Sequence, residues 1–153
     1  MSKQTDTGTD CQELQARYDA LLAESAEQNA KLEAISKVQA TIEFDLDGNV
    51  LTANSNFLKV LGYSMEEIQG RHHRMFVHPD EVNSAQYREF WESLRRGESQ
   101  VRRFRRINKA GEDVFIEASY NPIFDLQGKP YKVVKFAVDV TAAAQRTAEA
   151  DAK

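Results

Sequence analysis

The stretch FDLDGNVLTANSNFLKVLGY, Phe44 to Tyr63, changes its period halfway through. In the first half Phe44 and Leu46 alternate with polar neighbours, Asp47-Gly48-Asn49 carries turn chemistry, and Val50 to Asn54 runs back. That pattern is a hairpin. In the second half Phe57, Leu58 and Leu61 share one face of a short helix, and Gly62 stops it. Ser64 then opens another helical turn, with Glu67 at the reciprocal capping position and Gly70 at its end.

Working outward from this stretch gives the fold class. SAQYREFWESLRRGE, residues 84–98, is an amphipathic helix with Tyr87, Trp91 and Leu94 on one face and Phe90 beside it; Gly97 ends it. Strand patterns follow in QVRRFRRIN and EDVFIEASYNPIFD, joined by Lys109-Ala110-Gly111, and in KPYKVVKFAVDVT, reached through the Gln127-Gly128 turn. Two strands, several short helices and three strands predict an α+β fold, one five-stranded antiparallel sheet with helices on one face. This unit covers residues 41–141. Residues 1–11 are polar and predicted to be disordered. Residues 12–40 are rich in Ala, Leu, Glu, Gln and Lys without Gly or Pro, which predicts a helix. Its apolar seam, Leu14, Tyr18, Leu21, Leu32 and Ile35, has 4-3 spacing, with Ser25 and Gln28 as polar interruptions. Such a seam packs on its own domain or pairs two chains as a short coiled coil. Residues 142–153 return to helix-forming composition and predict a C-terminal linker helix.

Bulk properties narrow the function. The chain has 153 residues and a net charge of −4, which gives no electrostatic reason to expect nucleic acid as a partner. One cysteine, Cys11, excludes an internal disulfide framework and suits a cytoplasmic setting. No apolar run approaches the roughly 20 residues of a membrane span, and the N-terminus lacks the pattern of a signal peptide.

All three histidines, His72, His73 and His78, lie in GRHHRMFVHPDEVNS, residues 70–84. With Asp80 they match the number of ligands in a zinc site, but adjacent histidines in extended chain point apart and the spacing fits no zinc pattern, so no metal is expected. Ser64, Ser84 and Cys11 have no recognisable base and orienting group, so no enzyme is expected. A cofactor cradle is the remaining chemical reading. Arg71, His72, His73 and Arg74 form a polar cluster, and Trp91 supplies an aromatic wall for a flavin or adenine ring. Imidazole and Asp80 address polar ring or ribose edges, and arginines meet a pyrophosphate. Against this stand plainer roles: Trp91 as core, and Arg102, Arg103, Arg105 and Arg106 as a solvated strand face.

The hairpin–helices–meander order, with the Asp-Gly turn, Asn54, Gly62-Tyr63, the Lys-x-Gly turn, Asn121-Pro122-Ile123 and the closing Asp139-Val140-Thr141, resembles the PAS sensor fold. HHRMF, FWESLRRGE and ASYNPI are similar to stretches of the cytoplasmic PAS modules of methyl-accepting chemotaxis and aerotaxis receptors. The resemblance covers about two thirds of the chain, through motifs that are specific only together. It implies a sensory module, flanked by signalling helices, that dimerises through its N-terminal helix and PAS domain. It also implies a downstream signalling domain or chemotaxis machinery as partner, and no membrane contact. For cofactor, the resemblance places FAD first, as a redox or oxygen sensor. The relevant aerotaxis segment reads basic residue, His, Pro, then a variable residue or Asp, with Trp on the next helix. His78, Pro79, Asp80 and Trp91 match it, while Val77 departs at the basic position. The implied cofactor contacts are Asn54, His72, His73, Arg74, His78, Asp80 and Trp91. Haem b is the second option, with one of His72, His73 and His78 as axial ligand; a cofactor-free interaction module is the third. Asp139 and Thr141 resemble the family's hinge between sheet and output helix, where Asp139 also reads as an ordinary N-cap.

Overall fold

The computed structural model describes residues 3–142, with the backbone alone for residues 3–7 and 9. The linker helix predicted for residues 142–153 therefore falls, beyond Ala142, outside the described residues. The chain divides into two units, Met1–Lys37 and Val38–Lys153. The first is the helix α1, Lys3–Val38. It starts nine residues before the predicted residue 12 and so takes in most of the segment expected to be disordered. The physical reason is propagation: once a helix exists, each added residue gains a hydrogen bond without a new nucleus, and no proline intervenes. Gly8 weakens that extension by about 1 kcal/mol relative to alanine without stopping it. Every described side chain of α1 up to Ile35 is exposed, including Leu14, Tyr18, Leu21 and Leu32.

The second unit contains one sheet. Its strands are β1 (Ala40–Asp45), β2 (Val50–Ala53), β3 (Gln100–Ile107), β4 (Asp113–Phe124) and β5 (Pro130–Asp139). They lie in the order β2-β1-β5-β4-β3, and every neighbouring pair is antiparallel. The predicted five-stranded antiparallel sheet is thus what forms. Between β2 and β3 come α2 (Ser55–Leu61), α3 (Met65–Ile68), a 3₁₀ turn (His73–Phe76), α4 (Pro79–Val82) and α5 (Ala85–Arg95).

The sequence explains these boundaries locally. Asn54 caps α2 by accepting from Phe57 N, and Gly62 ends it in the left-handed region with φ 79°. Ser64 and Glu67 form the expected reciprocal capping box of α3. Ser84 Oγ accepts from Tyr87 N at 3.1 Å to start α5, whose Tyr87, Phe90, Trp91 and Leu94 are buried. The sheet's inward positions alternate strictly: Ile42 and Phe44 on β1, Ile116, Ala118 and Tyr120 on β4, Val133, Lys135 and Ala137 on β5. Phe57, Leu61, Ile68, Phe76 and α5's apolar face close over them. The closure is strongly aromatic, with Phe90 edge-on to Tyr120 at 4.7 Å between ring centres. Each fully buried side chain of this size contributes about 1.5–3 kcal/mol.

Candidate functional site

The two adjacent histidines diverge at the start of the 3₁₀ turn. His73 goes inward and is fully buried. Its Nδ1 lies 2.8 Å from the Tyr87 hydroxyl and its Nε2 2.9 Å from the Tyr120 hydroxyl. The Tyr120 hydroxyl also accepts from Arg106 Nη2 at 3.2 Å. The guanidinium can only donate, so the Tyr120 hydroxyl accepts from Arg106, and with Nε2 unprotonated the chain continues from Tyr120 to His73 Nε2 and from His73 Nδ1–H to Tyr87. Burial, and then the nearby charges of Arg106 and Lys135, hold His73's pKa well below 6.5, so it is neutral. Burial raises the Tyr87 phenol to about 12, opposed by a hydrogen-bonding influence from Trp91.

His72 turns the other way, toward the β1–β2 turn. Its Nδ1 accepts from Arg74 N at 3.0 Å, and its pKa is lowered, by burial first and Arg74 next. Gly48 closes that turn at φ 90°, and a Cβ there would stand 2.8 Å from His72 Nε2 and 3.2 Å from Trp91 Cζ2. Glycine is required on both counts, since the left-handed backbone and the close approach each exclude a side chain. Trp91 is buried, with its ring centre 6.2 Å from His72 and 5.3 Å from His73. Its Nε1 is buried and forms no hydrogen bond of good geometry, despite its influence on Tyr87. A groove of about 300 Å³ runs here, lined by Asp47, His72, Arg74, Tyr87, Trp91 and the arginines Arg88 and Arg95 among others. That volume is at the lower end of ligand sites.

The other predicted site residues lie elsewhere. His78 is at the β3–β4 side: its Nε2 accepts from Arg105 Nη2 at 2.6 Å and is 3.3 Å from Asp113, while Nδ1 is buried without a hydrogen bond, 3.6 Å from Asp80. Asp80 is exposed. Neither lines the groove around Trp91. Asn54 is spent on structure, accepting from Thr41 N at 3.0 Å and Phe57 N at 2.9 Å and donating to Gln39 O at 2.8 Å. Asp139 Oδ1 accepts from Thr141 N at 2.9 Å and from its hydroxyl at 2.6 Å; Thr141 Oγ1 in turn accepts from Phe115 N at 3.0 Å. The end of β5 is thereby pinned to β4 at the point where the chain turns helical.

Of the groups proposed to bind here, a flavin fits the groove in part: aromatic wall, orphaned buried N–H and basic rim are together, without His78, Asp80 or Asn54. Haem needs a free imidazole nitrogen: His73 has both nitrogens tied to phenols and His72 is held by Arg74 N and the backbone of Asp47, while His78 Nδ1 has no hydrogen bond but lies on the β3–β4 side, away from the groove around Trp91. Among the described residues no three His, Cys, Asp or Glu converge as a metal site.

Two central residues were not predicted. The arginine run was read as a solvated face, but Arg106 is buried beneath Phe104, with its guanidinium 4.6 Å from the ring centre. Lys135 is buried as well, 4.7 Å from the ring centre of Tyr120 and 5.7 Å from that of Phe57. The signal was period two: Lys135 falls between Val133 and Ala137, and Arg106 two places after Phe104.

The second unit is thus a single antiparallel sheet covered on one face by short helices, with His73, Arg106 and Lys135 sealed between the layers. The chain belongs to the PAS fold family, whose model matches residues 50–137. It is 48% identical over 134 residues to the biofilm dispersion protein BdlA of Pseudomonas aeruginosa, covering 87% of this chain and 32% of that protein. It is 30% identical over 97 residues to the aerotaxis receptor of Escherichia coli, covering 63% of this chain and 19% of the receptor. The chain thus spans a third or less of these relatives. Among solved structures, the PAS domain of a Colwellia psychrerythraea protein superposes with a TM-score of 0.65 at 21% identity, covering 75% of this chain and 98% of that one. A light-oxygen-voltage domain from a study of a flavin analogue gives 0.63 at 21% identity, covering 81% and 96%. The chain is a PAS sensory domain related to chemotaxis and aerotaxis receptors.

Proposed function

We propose that this domain senses redox state or oxygen through FAD held in the groove around Trp91, and relays the change through the β5 end to a flanking helix. It is a binding and relay module, not a catalyst, working in the cytoplasm as a dimer and acting on chemotaxis machinery or a downstream signalling domain. The observation that carries the reading is Trp91: a buried indole lining a groove whose rim carries Arg74, Arg88 and Arg95, its Nε1 without a hydrogen bond of good geometry. A buried donor without a partner is costly and marks a place where a ligand acceptor is accommodated. The similarity to an aerotaxis receptor and to a light-oxygen-voltage fold supports the same choice.

In this reading Trp91 walls the ring system and donates from Nε1, and His72, held by Arg74 N and the Asp47 backbone, packs beside it. The rim arginines take the pyrophosphate. A bound flavin supplies a reversible change of electron count and protonation. The protein's part is to convert altered hydrogen bonding at His72 and Trp91 into a shift of the 3₁₀ turn and α5 against the sheet. His73 bridges those elements to β4, and Thr141 couples β4 to the helix start.

An absorption spectrum of the protein reconstituted with FAD should show the two-banded flavin spectrum, bleaching on reduction. The surface double variant Arg74→Ser/Arg88→Ser should lose flavin while keeping its fold, and Trp91→Leu should lose it too. His78→Ala should retain it. No bound flavin in the wild type sinks the cofactor assignment; loss in His78→Ala with retention in the arginine variant moves the site to the β3–β4 side.

A further inference from the structure

We propose that the tip of the β4–β5 hairpin, residues 124–131, is a docking surface for a helix of a partner protein that carries an aromatic residue and, four places on, an arginine. Phe-Asp-Leu-x-Gly occurs twice in the chain, at residues 44–48 and 124–128. Both copies build the same turn. Asp45 N donates to Asn49 O at 2.9 Å and Gly48 N to Asp45 O at 3.1 Å; Asp125 N donates to Lys129 O at 2.8 Å and Gly128 N to Asp125 O at 3.0 Å. Asp45 Oδ1 accepts from the amides of Asp47 and Asn49 at 3.0 and 2.8 Å, and Asp125 Oδ1 from those of Gln127 and Lys129 at 2.9 and 3.0 Å. The glycines sit at φ 90° and 78°. With the backbone bonds matched, the surroundings are what distinguish the two turns.

The first turn is covered by α5. Trp91 lies over Gly48, its Cζ2 3.2 Å from where a Cβ would stand. Arg95, one helical turn further along the same face, donates from Nη1 to Leu46 O at 3.0 Å. Phe44 is buried, and Leu46 packs against the core. Among the described residues of the same unit, nothing covers the second turn in this way. A Cβ on Gly128 would meet no atom within 4 Å. Leu126 is fully exposed, and Phe124 and Tyr131 are half exposed. No hydrogen bond reaches the Leu126 carbonyl. Asp45 Oδ2 accepts from Asn49 Nδ2 at 3.2 Å, whereas Lys129 stands at the matching place in the second turn and gives Asp125 Oδ2 no such bond.

Three large apolar side chains on a firmly bonded turn form a preordered patch, which loses little entropy on burial. The adjacent Asp125 carboxylate and Leu126 carbonyl are acceptors awaiting donors, and the forked N–H groups of an arginine serve both. Trp91 and Arg95 are the sequence's one aromatic–arginine pair at this spacing, and they are already engaged on the first turn. α1 has a single aromatic residue, Tyr18, and Leu22 follows it four places on. The covering helix therefore comes from another protein. None of residues 124–131 lines the groove around Trp91, so this surface does not depend on the flavin reading.

The probe is a synthetic peptide of residues 84–98, locked as a helix by a lactam bridge on its polar side and titrated into the isotope-labelled full chain. The amide resonances of residues 126–129 should shift saturably, while those of residues 45–49 stay in place because the chain's own α5 still covers them. Leu126→Ser should weaken binding at least about tenfold, the loss of one leucine buried at the contact. Circular dichroism checks that this surface variant keeps its fold. Trp91→Ala or Arg95→Gln, made in the peptide alone, should each weaken binding about fivefold or more. Gly128→Asn, a side chain that the left-handed backbone tolerates, stands in the path of the indole and should abolish the shifts. No shift at residues 126–129, shifts confined to residues 45–49, or an affinity unchanged by Leu126→Ser or by loss of the peptide's arginine overturns the proposal.

Discussion

His73 is neutral because protonation would reverse its hydrogen bond with Tyr120 and add a buried charge. An imidazolium would aim a second N–H at a Tyr120 oxygen already accepting from Arg106, and would bury a third positive charge beside Arg106 and Lys135. The unfolded chain has no such constraint and takes up the proton near 6.5, so below that pH the unfolded state binds more protons than the native state. Stability is therefore complete above 6.5 and falls as the pH drops through it, by up to about 1.4 kcal/mol per pH unit. Denaturant midpoints measured from pH 7.5 to 5 should decline in the wild type and flatten in His73→Gln; an equal decline in both assigns the effect to other groups. Lys135 obeys the same sign at the alkaline end. Its native pKa is depressed below 10.5, so stability rises as the pH climbs toward that value.

Among the elements, the hairpin and α2 are joined by one side chain. Asn54 holds the first turn of α2, the Thr41 amide on β1 and the Gln39 carbonyl just before it. Asn54→Ala removes a cap and takes the side-chain acceptor from the part-buried Thr41 N–H, while the Gln39 carbonyl keeps its bond from Asn56, which should cost about 2 kcal/mol in urea unfolding. Asn54→Asp keeps both acceptor bonds and should cost less; a larger loss than for Ala would contradict this division of roles. The same side chain shows what the sequence disclosed and what it withheld. Turn residues, caps and apolar periods are local, so β1–β2, α2, α3 and α5 were legible in the Phe44–Tyr63 stretch and in residues 84–98. Asn54 was assigned to a cofactor through family resemblance; its cap to Phe57 is local, whereas its other partners, Thr41 and Gln39, lie thirteen and fifteen residues back, where no local pattern points. His78 lies apart from the groove for a similar reason: its partners Arg105 and Asp113 come from strands that only the folded sheet brings near. Buried Lys135 and Arg106 were written in the period-two alternation, but charged residues are so rarely sealed inside that composition argued for the surface.

At the scale of the whole molecule the question is what α1 is for. It is a 36-residue helix whose described side chains up to Ile35 all face solvent, Leu14, Leu21 and Leu32 among them. A helix in water draws most of its stability from packing an apolar stripe, and here that stripe is a narrow 4-3 seam, which we propose pairs two chains as a short coiled coil. Ser25 and Gln28 within the seam weaken the pairing while fixing its register. In that proposal a second copy of the chain supplies the matching seam. The second unit, by contrast, holds the whole hydrophobic core within residues 40–137, so it does not need α1 to fold. Deleting residues 1–37 should leave the thermal unfolding of the domain within a few degrees of the full chain, while sedimentation equilibrium drops from dimer to monomer mass. Placing lysine at Leu21 and Leu32 should dissociate the full-length dimer in the same way, because each charge would enter the seam opposite its own copy. If the truncated domain still sediments as a dimer, the contact lies on the sheet domain itself, and α1 serves to transmit the signal without holding the two copies together.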